Sequence, residues 1–212
     1  MASPLLSELV FGSFLVYSPR GTTEVSRRSR AHRDAFKAGN EETLARAIAR
    51  LTQLFAESGL AAVLGPDVTL VPAPRSGLLL EGALWPSRLI AEALVRAGLG
   101  AAVAPILRRV EAVPKSAFQS PGERPNALRH YETMAVDTEL VSTRRITLVD
   151  DFVTKGNTLL GGASRIAQAF PGKDIRSFAL VRTLGRQPEI ERVVEPCVGV
   201  IRAAFGDADR EP

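Results

Sequence analysis

Between positions 41 and 60, the apolar residues Leu44, Ile48, Leu51, Leu54 and Phe55 recur at three- and four-residue spacing. That stripe predicts an amphipathic helix, with Gly59 as its stop. After Gly65 and Pro66 the pattern changes to short, continuous apolar runs. Residues 68–71 predict a buried strand, ended by Pro72, Ala73 and Pro74. Residues 85–97 predict a helix that stops at Gly98 and Gly100, and residues 101–107 predict a second buried strand. A small strand is expected at 134–136, a clear one at 146–149, a helix at 158–170, and two more strands at 175–181 and 198–201. Residues 108–131 are polar, contain Pro114, Pro121, Gly122 and Pro125, and are too long for an ordinary connection. Residues 18–40 carry Arg20, Arg27, Arg28, Arg30, His32, Arg33 and Lys37 and predict a basic loop or arm. The polar tail, residues 205–212, is expected to fray.

Strand, helix, strand, long loop, strand, helix, strand is the alternation of an α/β domain. It predicts a parallel sheet of about five strands with helices on both faces. Ligands in such sheets bind at the carboxyl ends of the strands, which places the loops after Val71 and Val149 at one edge. The expected division is an N-terminal flank or hood over residues 1–64, a core over 65–205 and a tail over 206–212.

Composition narrows the classes. Hydrophobic residues make up 45% and charged residues 24% of 212 positions, enough for a real core and against disorder. Cys197 is the single cysteine, so a disulfide framework and a four-cysteine zinc site are excluded. Lying in an apolar strand, it reads as an inert buried thiol, and one thiol fits a reducing cytoplasm. No stretch approaches the roughly 20 apolar residues of a membrane span. The opening apolar run has no positive charge before Arg20 and reads as the first element of the domain rather than a leader. A net charge of +4 admits phosphate-rich ligands or nucleic acid without requiring either.

The chemistry concentrates in residues 146–159. A strand runs into Asp150 and Asp151, then a short loop of Thr154, Lys155, Gly156 and Asn157 enters a helix at Thr158. Backbone N–H groups at a helix N-terminus favour an anion, and glycine permits close approach. Two acids beside a phosphate would repel it. They make sense if they hold sugar hydroxyls, or a divalent cation through water.

This segment resembles the 5-phosphoribosyl 1-diphosphate (PRPP) motif of the type I phosphoribosyltransferases. The resemblance implies that Asp150 and Asp151 bind the ribose hydroxyls, and magnesium through water. It also implies that Thr154, Lys155, Gly156, Asn157 and Thr158 bind the 5-phosphate, with Lys155 standing where the family commonly has threonine. The segment with Arg75, Ser76 and Gly77 is similar to the family's pyrophosphate loop. Residues 108–131 occupy the place of a loop that closes over PRPP, with Arg108, Arg109, Lys115, Arg124, Arg129 and His130 as its basic residues. Arg109 is thereby expected at the diphosphate, and Lys115 joins Asp150 and Asp151 as catalytic. The order of elements also resembles the ComF-type branch, whose cysteine zinc finger this chain cannot build. The implied activity is transfer of phosphoribose from PRPP to a nitrogen of a base or amine, with Mg2+ as cofactor and a homodimer as a candidate assembly. Two alternatives carry the same fold: a PRPP- or nucleotide-sensing regulator, and a DNA-uptake accessory.

Overall fold

The computed structural model describes residues 3–114, 125–138, 141–185 and 189–212. Its centre is a seven-stranded sheet in the order β3-β2-β6-β7-β1-β8-β9. The strands are β1 (Glu8–Tyr17), β2 (Val68–Pro72), β3 (Ala102–Val103), β6 (Arg145–Val153), β7 (Asp174–Thr183), β8 (Val194–Ala204) and β9 (Asp207–Glu211). Strands β3, β2, β6, β7 and β1 run parallel, and β8 and β9 continue the sheet as an antiparallel hairpin. A separate antiparallel pair joins β4 (Leu107–Arg109) to β5 (Met134–Val136). The α/β class and the mostly parallel sheet are those expected from the sequence.

Both faces are covered. Helices α1 (Glu24–Lys37), α2 (Glu41–Leu54) and α3 (Pro86–Arg96) lie over one apolar layer that includes Phe14, Val149, Phe178 and Leu180. Helices α4 (Ala127–Glu132) and α5 (Asn157–Ala169) lie over the other, with Phe11, Ile146, Leu148 and Ala179. Neighbouring residues such as Leu148 and Val149 therefore feed opposite layers, as the period of a strand requires. Every residue of β2 is buried, which fits a parallel strand covered on both sides.

Five expectations are corrected. Residues 18–40 are not a basic arm but chiefly helix α1, started by Thr23, whose hydroxyl accepts from the Ser26 N–H at 3.2 Å. Its buried residues are Ser26, Ser29 and Phe36, so it lacks an apolar stripe; the Ser29 hydroxyl donates to the Ser26 carbonyl and the Ser26 hydroxyl to Glu189. Residues 8–17, placed in an N-terminal flank, form β1 inside the sheet between β7 and β8. The strand expected over 101–107 is split into β3 and β4, which belong to different sheets. The tail does not fray: β9 pairs with β8 over five residues. Cys197 is half-buried rather than fully enclosed. No helix among the described residues is long and apolar enough to cross a membrane.

Candidate functional site

Strand β6 carries Asp150 and Asp151 within its last four residues, at the carboxyl edge of the parallel sheet. Each carboxylate accepts the next residue's backbone N–H, Asp150 from Asp151 and Asp151 from Phe152, both at 2.9 Å. Burial, and then the Asp151 carboxylate, push the Asp150 carboxyl well above the usual carboxylate range. The Lys37 ammonium at the end of α1 draws it back only in part. The pair therefore tends to keep a proton on Asp150, and a bound cation or a donating hydroxyl would relieve the same strain.

The chain leaves β6 and enters α5 through Gly156, at φ 101°. A Cβ there would lie 2.7 Å from Ile201 Cδ1, so backbone torsion and space both demand glycine. No side chain caps the helix, and no acid stands in its first turn. Its first N–H groups have no intrahelical acceptor, as at the start of any α-helix.

The last strand holds this loop. Arg210 donates to the Thr154 carbonyl at 2.8 Å and the Thr183 carbonyl at 2.9 Å. The Ala208 N–H donates to Asn157 Oδ1 at 2.8 Å, and Lys155 Nζ pairs with Asp207 at 2.8 Å. Lys155 thus turns toward the β8–β9 hairpin. The Arg210→Ala variant, which removes the donor to two carbonyls, is expected to lose about 1–3 kcal/mol of stability in urea unfolding.

A buried chain of polar groups joins this loop to the one after β2. Arg109, only 6% exposed, donates to the Arg75 carbonyl at 3.1 Å, to Thr133 Oγ1 at 2.6 Å and to His130 Nδ1 at 3.2 Å. An arginine can only donate, so Nδ1 accepts and the imidazole proton sits on Nε2. Nε2 stands 3.5 Å from Thr158 Oγ1, a long contact in the first turn of α5. Desolvation, then the Arg109 charge, lower the His130 pKa to about 3, so the ring is neutral. Desolvation also lowers Arg109 to about 10, while the Asp150 charge opposes that shift. Gly161 makes the arrangement possible: a Cβ there would lie 2.5 Å from the Ala127 carbonyl oxygen, so α4 rests directly on α5.

The loop after β2 is closed at its base. Trp85 Nε1 and Ser87 Oγ both donate to the Ala73 carbonyl, at 2.7 and 2.9 Å. Between them, Arg75 is exposed, the Ser76 carbonyl accepts the Val113 N–H at 2.8 Å, and a Cβ on Gly77 would meet open space. Leu78, Leu79, Leu80 and Leu84 are exposed on the same loop.

The structure thus brings Asp150, Asp151, Thr154, Gly156, Asn157 and Thr158 to one edge of the sheet, with the Arg75–Gly77 loop tied to Thr158 through Arg109 and His130. Arg109, expected at a diphosphate, has its three side-chain nitrogens engaged within the protein. Lys115 and Arg124 lie outside the described residues. Lys37, His130, Thr133 and Arg210 complete the surroundings and carry no motif of their own. The threonine cap at Thr23 is the one local signal that could have placed Lys37 on a helix.

No family model matches this chain, and no curated protein matches it. Among solved structures it is similar to a hypoxanthine phosphoribosyltransferase from Staphylococcus aureus, at 13% identity and a TM-score of 0.36, over 72% of this chain and 70% of that chain.

Proposed function

We propose that this protein is a PRPP-dependent phosphoribosyltransferase. The observation that carries the reading is the run of β6 through two acids into a glycine-started, uncapped helix at the carboxyl edge of a parallel sheet. In the reaction a nitrogen of the acceptor attacks C1 of the ribose. The C1–N bond forms as the C1–O bond to diphosphate breaks. The electron pair leaves on diphosphate, and the nitrogen's proton passes to water. The protein's share is chiefly orientation and charge neutralisation. The N–H groups of Asn157 and Thr158, with the hydroxyls of Thr154 and Thr158, would hold the 5-phosphate. Asp150 and Asp151 would hold the ribose hydroxyls. The Arg75–Gly77 loop offers the departing diphosphate an exposed guanidinium and backbone N–H groups.

Magnesium suits the acid pair. Two adjacent carboxylates, one pushed toward its protonated form by burial and then by the other, match an ion that uses one or two carboxylates and keeps its waters. Asp150 and Asp151 would hold it through water, and bound there it would neutralise charge on the diphosphate.

Calorimetric titration with PRPP and magnesium tests the reading. Asp150→Asn combined with Asp151→Asn is expected to weaken PRPP by more than tenfold and inorganic phosphate by less than threefold, on the order set by lost charge-assisted hydrogen bonds. Equal weakening of both would overturn the division of roles. Diphosphate release from PRPP in the presence of an acceptor separates a transferase from a sensor of the same fold.

A further inference from the structure

The line of polar groups from the Arg75 carbonyl to Thr158 has a direction. Arg109 is the donor in all three of its contacts, and its acceptors are a carbonyl, a hydroxyl and an imidazole nitrogen, each of them neutral. The Thr133 hydroxyl can accept from Arg109 because it gives its own proton to the Arg129 carbonyl at 2.7 Å. His130 Nδ1 accepts from Arg109, so the ring donates from Nε2. That donor belongs to a side chain only 5% exposed, and its partner is Thr158 Oγ1 at 3.5 Å. Thr158 Oγ1 is therefore the acceptor of this pair. Among the described residues, no group accepts the Thr158 hydroxyl's own proton. The other end of the line behaves alike. The Arg75–Ser76 peptide is trans, so with its carbonyl turned onto Arg109 the Ser76 N–H points the opposite way.

We infer that Arg109 and His130 are positioning residues that set a donor at each of two anion subsites: the Thr158 hydroxyl at the start of α5 and the Ser76 N–H after β2. This deepens the transferase reading and rests on it. Neither residue needs to touch the ligand. At each end the line engages an oxygen lone pair and leaves an N–H or O–H free for the ligand. A carbonyl or hydroxyl lone pair turned toward a phosphoryl oxygen repels it. The orientation of these groups, and not their presence alone, therefore decides affinity. An anion that accepts the Thr158 proton makes Oγ1 a better acceptor. That strengthens the long contact from His130 and, behind it, the bond from Arg109. PRPP carries a phosphate and a diphosphate on one ribose, and the line orients one donor for each.

Inorganic phosphate probes the start of α5, and inorganic diphosphate probes the Arg75–Gly77 loop. Each is titrated by calorimetry into the wild type, Arg109→Lys, His130→Asn, Thr158→Val and the double variant His130→Asn with Thr158→Val. PRPP with magnesium is titrated into the wild type alongside. Arg109→Lys keeps the charge but loses the planar fork that spans three acceptors, and should weaken both probes by about threefold to tenfold, the worth of one hydrogen bond. His130→Asn keeps an acceptor for Arg109 but is too short to reach Thr158, so it should weaken phosphate by a similar factor and leave diphosphate unchanged. In the Thr158→Val background, His130→Asn should cost phosphate nothing further, a non-additivity that a merely structural role for the ring would not produce. Unchanged phosphate affinity in His130→Asn, or additive losses in the double variant, overturns the line at Thr158. Unchanged diphosphate affinity in Arg109→Lys overturns it at Arg75. Either result leaves the transferase reading standing if the wild type binds PRPP. A wild type that ignores PRPP yet keeps the whole pattern for the inorganic anions overturns the transferase and supports the line. A wild type that binds none of the three ligands overturns both.

Discussion

Between pH 6.5 and about 3 this protein should lose stability more steeply than its His130→Asn variant. Folding lowers the His130 pKa from 6.5 to about 3, chiefly by burial. The unfolded chain therefore binds a proton across that window and the native state does not. Stability is complete above pH 6.5 and is lost as the pH falls. The slope is at most about 1.4 kcal/mol per pH unit, so the whole window is worth on the order of 4–5 kcal/mol. His130 is 5% exposed, so solvent screening does little to discount it. Asparagine at 130 sets an acceptor near the position of Nδ1 and cannot take the proton. Urea unfolding of both proteins at pH 7, 5.5 and 4.5 isolates the histidine, because the carboxylates that titrate below are common to both. Parallel stability curves would show that the ring can charge in place, and the buried link from Arg109 to Thr158 would then not be neutral.

Gly156→Ala carries the second large expectation. The position has φ 101° and an Ile201 atom 2.7 Å from where the new Cβ would stand. A non-glycine residue held in such a conformation costs about 1–3 kcal/mol, and overpacking against a buried isoleucine costs a similar amount. The expected loss is thus about 2–5 kcal/mol in urea unfolding, together with a loss of phosphate affinity that calorimetry reads directly. Adding Ile201→Val removes Cδ1, the nearest atom, and should recover part of the stability and little of the affinity. Full recovery of phosphate affinity in the double variant would mean that crowding alone, and not the torsion, shapes the loop.

The parts of this architecture that local pattern reveals are those whose cause is local. The apolar run before Asp150, the acids and Gly156 follow one another in the chain, and the structure keeps them together. Helix α2 declares itself through Leu44, Ile48 and Leu51, which are all buried. Helix α1 does not, because Ser26 and Ser29 fill the face where a periodic stripe would have stood, and their hydroxyls are paired within the fold. Strand β9 hides for a different reason. Asp207–Glu211 has one buried residue, Ala208, and its order comes from pairing with β8 and from side chains that reach the 154–157 loop. His130 and Arg109 likewise acquire their roles from partners 21 to 34 positions away. Spacing along the chain cannot report such pairings. A basic residue in a polar stretch reads as solvated until the fold shows what surrounds it.

The place of β1 also sets a schedule for the growing polypeptide. Its sheet neighbours are β7 and β8, and the Ser177 hydroxyl meets the Val10 carbonyl across 167 positions of sequence. At roughly 5–20 residues per second, the ribosome takes about 10–30 s to deliver those partners. During that interval Phe11, Phe14, Leu15 and Val16 belong to a ten-residue strand with two unpaired edges. Nascent-chain factors that shield apolar segments would therefore find a substrate in residues 8–17, and release of that segment would have to wait until β7 has emerged.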